Sequence, residues 1–178
     1  MGNVIVTEFV TLDGVAESPE KWSLDFWNAE TEKFKNEELD RSGALLLGRK
    51  TYQGFAEAWP GRGGAYADKL NRMPKYVASK TLKTVDWSGA ELLRSGMPEA
   101  IAKLKNASGD DIVVHGSISL AQGLLKYGLV DRISLLVYPV VLGRGARFFE
   151  DGHECRLDCV SATRFSSGVL ALDLRPKL

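Results

Sequence analysis

Runs of β-branched and aliphatic residues alternate with helical patterns along most of the chain, and this alternation limits the fold more than any other feature. The runs typical of strands lie at 4–14, 44–48, 75–79, 111–116 and 131–143. Strands that alternate with helices of about ten residues predict right-handed crossovers and a mostly parallel sheet. The last segment, 162–174, is predicted to form an antiparallel hairpin that turns at Ser167-Gly168.

Helical patterns fill the intervals between these strands. They occupy the second half of 20–41, the stripe from Tyr52 to Trp59, a second stripe from Tyr66 to Met73, a segment that starts near Pro98, and 119–128. Ser119 and Gln122 are predicted to form a capping box for the last helix, and Gly128 is predicted to end it. Because no repeat or linker interrupts the pattern, we expect a single α/β domain over 1–178.

Composition excludes several classes of function. Lys plus Arg and Asp plus Glu both number 23, so no net charge attracts nucleic acid or an anionic membrane. The apolar stretches are well short of the roughly 20 residues that span a bilayer. The first segment, MGNVIVTEFV, lacks the basic region of a secretory signal, and Val6 occupies the position where myristoylation requires Ser or Thr. We therefore expect a cytoplasmic protein with no nucleic-acid or membrane partner.

Cys155 and Cys159 are the only cysteines in the sequence, and His153 precedes them closely. On a strand the three side chains would share one face, which is a geometry that a metal ion can use. However, the spacing is not a common zinc pattern, and a fourth local ligand is missing. We therefore predict two reduced thiols and no metal site.

Two turns that follow strands are suited to bind an anion. In open α/β sheets the ligand lies beyond the carboxyl ends of the strands, so these turns are the places to search. In the first turn, Gly48 precedes a helix that begins with Arg49 and Lys50, two cations at the positive end of the helix macrodipole. In the second turn, Gly116 is followed by the hydroxyls of Ser117 and Ser119.

Each turn by itself has an ordinary explanation, a solvated basic turn in the first case and a capped helix in the second. Neither turn matches G-x-G-x-x-G or the P-loop pattern, the two common nucleotide fingerprints. Together, the two turns favour a ligand with two separated phosphate groups. NADPH, with its pyrophosphate and its 2′-phosphate, is such a ligand.

The segments TLDG, LLLGRKTY, VHGSISLAQGLL and GLVDRISLLVYPVVLGRGARFFED strongly resemble the dihydrofolate reductase-like family, which includes the reductase domain of bacterial riboflavin biosynthesis. The resemblance extends from Val4 to Asp151 and is closest to the small stand-alone members. It implies a mixed, mostly parallel sheet flanked by helices, NADPH as cofactor, and hydride transfer to a small heterocyclic or carbonyl substrate. Because relatives in the riboflavin branch are homodimers joined through their sheets, it also implies a two-fold symmetric homodimer.

The resemblance also implies which residues contact the cofactor. They are Gly48, Arg49, Lys50 and Thr51 at the phosphates, Ser79 and Lys80 at the 2′-phosphate and adenine side, and His115, Gly116, Ser117, Ile118 and Ser119 at the pyrophosphate and nicotinamide ribose. Dihydrofolate reductase carries a Gly-Gly pair, commonly joined by a cis peptide, where this chain has Gly116-Ser117. The riboflavin reductases carry an acidic residue where this chain has His115.

The sequence does not identify the proton donor of such a reaction. Dihydrofolate reductase has an acid on its first long helix, and Asp25 and Glu32 lie in the corresponding region. Asp13, in TLDG, is a candidate for the rim of the site and is also a common turn former. Three tryptophans are candidate walls for a flat substrate, although aromatic residues are more often packed in a core: Trp22, Trp27 and Trp59.

Three alternatives to a reductase of an unidentified substrate remain. A non-catalytic, dinucleotide-binding homodimeric module would keep the phosphate turns without a proton donor. True dihydrofolate reductase is less favoured because the acid that serves the pterin is not identified. The pyrimidine-ribityl phosphate reductase of riboflavin biosynthesis is less favoured because His115 replaces an acidic residue.

Overall fold

The computed structural model describes residues 2–94 and 96–177. One eight-stranded sheet runs through it, built from β1 (Val4–Thr11), β2 (Ser42–Gly48), β3 (Lys75–Ala78), β4 (Ala90–Leu93), β5 (Asp111–His115), β6 (Arg132–Tyr138), β7 (Leu157–Arg164) and β8 (Leu170–Pro176). The strand order is β4-β3-β2-β5-β1-β6-β8-β7. All pairs from β4 to β6 are parallel, whereas β6-β8 and β8-β7 are antiparallel. The predicted fold class is confirmed.

Helices cover both faces of the sheet. They are α1 (Ala29–Asp40), α2 (Arg49–Ala58), α3 (Ala65–Arg72), α4 (Met97–Ser108) and α5 (Ile118–Lys126), with 3-10 turns at Pro19–Lys21 and Leu24–Phe26. On one face, Leu46 of β2 packs in a core with side chains of α4 and α5. On the other face, Leu45 and Leu47 pack with side chains of α1, α2 and α3. None of the described helices is long and apolar enough to cross a membrane.

Several predicted boundaries were wrong for local reasons. The strand predicted at 131–143 ends at Tyr138, because Pro139 has no N–H for a ladder and Val140 bonds back to the Tyr138 carbonyl at 2.8 Å. The strand predicted at 4–14 ends at Thr11. Strand β4 was not predicted, since it is a four-residue edge strand with no fully buried position.

The predicted ends of α5 gave one error and one success. The helix starts at Ile118, so Ser119 lies inside it, and the Gln122 side chain donates to the carbonyls of Arg147 and Phe148. The predicted capping box is therefore wrong. Gly128 does end the helix at φ +64, and the two backbone hydrogen bonds that follow complete a Schellman motif.

The C-terminal hairpin is confirmed and is longer than predicted. Its strands β7 and β8 join through a turn in which Gly168 has φ +89. Leu172 and Leu174 pack on the core, whereas Leu170 is 39% exposed. Most of β7 is exposed, which leaves an unpaired edge at this end of the sheet.

Candidate functional site

A cleft opens where β1 and β5 stop being neighbours. Strand β5 ends at His115, which pairs with Thr7, whereas β1 continues to Thr11 against β6 alone. From Glu8 onward, β1 therefore has a strand on one side only. The resulting cleft has a volume of about 1900 Å³ and is lined by β1, α1, both predicted anion turns and the loop that follows β6.

The two anion turns predicted from the sequence meet at one side chain. Ser117 Oγ accepts a hydrogen bond from the Gly48 N–H at 2.8 Å and donates one to Thr51 Oγ1 at 2.8 Å. This hydroxyl therefore fixes the start of α2 against the start of α5. Residues 48–51 and 115–119 all line the cleft as a single continuous surface.

Both helix starts at this surface are left without a side-chain cap. Neither α2 nor α5 has an acidic residue in its first turn or a side chain that caps its N–H groups. Arg49 and Lys50 are exposed at the start of α2, where positive charge opposes the macrodipole unless an anion is near. The surface thus offers unpaired donors and two cations, which is the chemistry that phosphate groups require.

The backbone of this surface is shaped for close approach. Gly116 and Ser117 both have left-handed backbone conformations, at φ +57 and +67. This conformation is unfavourable for Ser117, which has a side chain, and favourable for glycine. A side chain on Gly48 would place its Cβ 3.1 Å from Ser117 Oγ, so only glycine fits there without displacement. The Gly116-Ser117 peptide is trans. These features fit a dinucleotide phosphate lying across the two turns.

The remaining predicted residues divide between the cleft and other places. Glu32, Trp27 and Trp59 line the cleft. Trp22 instead packs edge-on against Tyr138, with ring centroids 5.4 Å apart. The others also lie outside the cleft lining: Asp13, Asp25, Ser79 and Lys80.

Asp13 and Ser79 have structural partners where they stand. The Asp13 carboxylate accepts the backbone N–H groups of Leu142 and Gly143, at 3.2 and 2.8 Å, and so holds the loop after β6 against the end of β1. The Thr11 hydroxyl and the Gly143 N–H lower the pKa of Asp13 to about 2. Ser79 accepts the N–H of Leu82 and orders the turn after β3.

A buried ionisable cluster beside the cleft was not predicted. It consists of Lys35, Glu38 and His115, together with Glu8, on which the Lys35 charge acts, and all four side chains are almost fully enclosed. The Lys35 ammonium donates to Thr7 Oγ1 at 2.9 Å and forms a short contact with Glu38. His115 Nε2 lies 4.0 Å from the Glu38 carboxylate. Glu8, Lys35 and His115 line the cleft itself.

Burial dominates the protonation of this cluster. It raises the pKa of Glu8 to about 8, although the Lys35 charge and the Phe9 N–H act in the opposite direction. Burial and the Lys35 charge lower the pKa of His115 to about 3, so the imidazole is neutral near pH 7. Burial raises the pKa of Glu38, but the Lys35 charge, the His115 side chain and the hydrogen bonds from Lys35 and Thr7 together outweigh it, so the pKa lies below its usual value.

The sequence did contain weak signals of this cluster. Glu8 is the one charged residue within VIVTEFV, a strand whose other residues are apolar or Thr. Lys35 lies four residues after Thr31 and four before Leu39, and all three are buried. A charge on the buried stripe of a helix and a charge within a buried strand are costly unless they are paired or neutral.

Comparison with known proteins places the chain in a family. Its sequence matches the model of the RibD C-terminal domain over residues 3–171. The chain belongs to the RibD C-terminal domain family. This RibD C-terminal domain is 30% identical over 175 residues to YyaP, an uncharacterized protein of Bacillus subtilis (strain 168), with 95% of this chain and 92% of YyaP covered.

Solved structures share the fold of this RibD C-terminal domain. A possible riboflavin biosynthesis protein from Shewanella sp. PV-4 superposes with a TM-score of 0.80 over 99% of both chains, at 20% identity. Dihydrofolate reductase from Enterococcus faecalis, in a complex with NADP(H), has a TM-score of 0.66 over 99% of this chain and 98% of its own, at 14% identity. The family and the fold indicate a reductase-type function.

The predicted thiols are exposed and have no metal-binding neighbours. Cys159 lies on β7 and Cys155 precedes that strand, and both are free. Within 2–94 and 96–177, no group of three or more His, Cys, Asp or Glu residues is arranged to hold a metal ion.

Proposed function

We propose that this RibD C-terminal domain is an NADPH-dependent reductase that transfers a hydride to a small heterocyclic or carbonyl substrate. The observation that carries the proposal is the junction made by Ser117, which joins two uncapped helix starts beside Arg49 and Lys50. That junction opens into a cleft that also contains a buried carboxyl group. These features support a phosphate site and a proton donor in the same cleft.

The phosphate groups of the cofactor have residues in this chain that suit them. Arg49 and Lys50 would hold a phosphate by charge-assisted hydrogen bonds, and the free N–H groups at the start of α5 would hold the pyrophosphate. Lys80 and Ser79, which follow β3, remain our proposed contacts for the 2′-phosphate side. When bound, the nicotinamide supplies the hydride.

Aromatic side chains give the rest of the cleft flat, apolar walls. The ring centroids of Trp59 and Tyr66 are 5.5 Å apart, and those of Phe55 and His115 are 6.3 Å apart. Trp27 also lines the cleft, and its ring lies next to that of Phe9. The Trp27 side chain is 45% exposed. Such walls suit a small planar ring, and closing a substrate between them would exclude water from the hydride acceptor.

The test is NADPH oxidation by the purified protein, followed by absorbance, with a panel of dihydrofolate, a pyrimidine-ribityl phosphate, ketones, aldehydes and quinones. We expect turnover with at least one small carbonyl or heterocyclic compound. NADPH binding without turnover across the whole panel would contradict the reductase and support a non-catalytic dinucleotide-binding module. Preferential turnover of dihydrofolate would instead identify a true dihydrofolate reductase.

A further inference from the structure

Glu8 stands on a strand face that is otherwise part of the core. Alternation along β1 puts Val4, Val6, Glu8 and Val10 on the same side of the sheet, and the three valines belong to the core cluster beneath α4 and α5. Glu8 is only 5% exposed, yet it lines the cleft. Because β5 ends opposite Thr7, the space beside Glu8 is cleft and not a neighbouring strand.

The Glu8 carboxyl has an unused oxygen. Its Oε1 has no hydrogen-bond partner within the described part of the chain. The Lys35 charge acts on this carboxyl, but the Lys35 ammonium donates its hydrogen bonds to Thr7 and to Glu38. A buried polar atom without a partner is rare and costly in native proteins, which points to a partner that binds from the cleft.

We propose that Glu8 hydrogen-bonds the heteroatom of the substrate's C=O or C=N group and gives it the proton that accompanies hydride transfer. This inference rests on the proposed reductase function and adds the proton donor and the substrate class. The sequence-based candidates Asp13 and Asp25 lie outside the cleft lining, and Glu32, which lines the cleft, is exposed.

The protonation state of Glu8 agrees with this role. Its pKa is raised to about 8 by burial, so near pH 7 the group carries a proton and acts as a donor. Lys35 and Glu38 of α1 and His115 at the end of β5 are the ionisable groups of its cluster. Glu17 and Arg147 line the cleft from the segments that follow β1 and β6.

In the proposed step, the hydride and the proton reach the two ends of one double bond. The substrate carbon accepts a hydride, the π pair of the C=O or C=N bond moves onto the heteroatom, and the heteroatom takes the Glu8 proton. The products are an alcohol or an amine, an oxidised nicotinamide and a Glu8 carboxylate. Lys35 stabilises that carboxylate electrostatically, and water in the cleft returns the proton.

This role favours some substrates over others. A neutral ketone, aldehyde or cyclic imine presents an acceptor that a protonated carboxyl can bond. A substrate that presents a carboxylate or an N–H donor at this point would leave either a buried charge or two donors facing each other. We therefore expect small neutral compounds with an acceptor at the carbon that is reduced.

The experiment compares wild type with Glu8→Gln, which keeps size and hydrogen bonding but has no proton to transfer. Glu37→Gln, an exposed change on α1, is the matched control. Benzaldehyde, cyclohexanone and pyrroline serve as probes. With a probe that wild type reduces, we expect Glu8→Gln to lower kcat by about a hundredfold or more, while the Kd for NADPH changes by less than about threefold. The wild-type kcat/KM should fall above about pH 8, and Glu37→Gln should match wild type.

A second readout uses the protein alone. Infrared difference titration should show the C=O band of a protonated carboxyl that disappears near pH 8 in wild type and is absent from Glu8→Gln. If Glu8 is ionised at neutral pH, or if Glu8→Gln reduces a probe as fast as wild type, the inference about Glu8 is wrong and the reductase function stands. If wild type binds NADPH but reduces no probe or panel compound, the reductase function is wrong, and the inference fails with it.

Discussion

At the scale of single residues, the cleft depends on side chains whose charge state is set by their surroundings. Glu8 and His115 are both enclosed, and burial drives both toward their neutral forms. Arg49 is the opposite case, because it is exposed and charged beside the positive end of a helix. Each of these residues carries a cost in the protein alone that a bound ligand would remove.

Replacing Glu8 with Gln should change how the free energy of unfolding depends on pH. The folded pKa of Glu8 is about 8, above its ordinary 4.5, so the stability that it contributes is lost as pH rises through that window, by roughly 1.4 kcal/mol per unit. The folded pKa of His115 is about 3, below its ordinary 6.5, so this residue adds stability as pH rises across its own window. In wild type, the effects of Glu8 and His115 on the free energy of unfolding oppose each other up to about pH 6.5. Above that pH, Glu8 is the one of the two that still changes the stability.

Urea unfolding at several pH values between about 5 and 8 measures this effect. As pH rises, the free energy of unfolding of Glu8→Gln should increase steadily relative to that of wild type, because only wild type loses the stability that the protonated Glu8 contributes. A difference that stays constant across this range would show that Glu8 is ionised in the folded protein.

Arg49→Ala tests the phosphate site at the same scale. Without a ligand, removal of a cation from the start of α2 should leave the Tm unchanged or slightly higher. With NADPH, the loss of a charge-assisted contact should weaken binding by about ten- to a hundredfold. Calorimetric titration at low and high salt measures the loss, which should shrink with salt. Arg72→Ala, an exposed change on α3, is the control. An Arg49→Ala protein that unfolds readily but binds NADPH normally would show that Arg49 has a structural role.

At the scale of elements, the site depends on how two strand-to-helix turns are held together. Ser117 is strained at φ +67 and makes both bonds that join the turns. Ser117→Ala keeps the strain and loses the bonds, whereas Ser117→Gly loses the bonds and relieves the strain. We expect stability to fall in the order wild type, Ser117→Gly, Ser117→Ala, with the alanine protein lower than wild type by about 1–3 kcal/mol.

Urea denaturation of the three proteins and of Ser119→Ala measures this order. Ser119 is exposed on α5 and should tolerate alanine. Equal stability of all four proteins would mean that the Ser117 hydroxyl does not join the turns.

The sequence predicted regular elements well and the contacts between them poorly. Strand β1 and the helix from Arg49 are visible because burial repeats along one segment, as it does for Val4, Val6 and Val10. The hydrogen bond from Gly48 to Ser117 joins residues 69 apart, and no local pattern predicts it. Strand β4 was not predicted for a related reason, because a short edge strand is defined by pairing with its neighbour and not by its own composition.

In the candidate site, too, some features could be predicted from local sequence and others could not. The phosphate turns could be predicted because glycine, hydroxyl and basic residues in sequence already have the required chemistry. The Glu8 cluster could not, because the protonation of Glu8 depends on its burial in the folded protein and on the early end of β5. A carboxyl in a strand is ordinary by composition and becomes a proton donor only through its surroundings.

In the molecule as a whole, the sheet ends at strand β7 with an edge that can pair with another strand. Within the described part of the chain, strand β7 is bonded to β8 alone. It has no charged residue between Asp158 and Arg164, and Val160 is 50% exposed. Long exposed edges of this kind are usually blunted or covered. We propose a homodimer with two-fold symmetry in which a second copy covers this edge.

Light scattering at micromolar concentration tests the assembly. We expect twice the chain mass of 19.5 kDa for wild type. Val160→Lys should shift the protein to a monomer, whereas Ala102→Lys, at an exposed position on α4, should not. A monomeric wild type would rule out the homodimer, and a dimeric Val160→Lys would place its interface elsewhere.

We propose that the two joined turns bind the phosphates of NADPH. Calorimetric titration of the wild-type protein with NADPH and with NADH tests it most directly. We predict saturable binding of NADPH and binding of NADH that is at least about tenfold weaker, because NADH lacks the additional phosphate that basic side chains would hold. The absence of any response to NADPH at millimolar concentration, in both heat and fluorescence, would contradict the account.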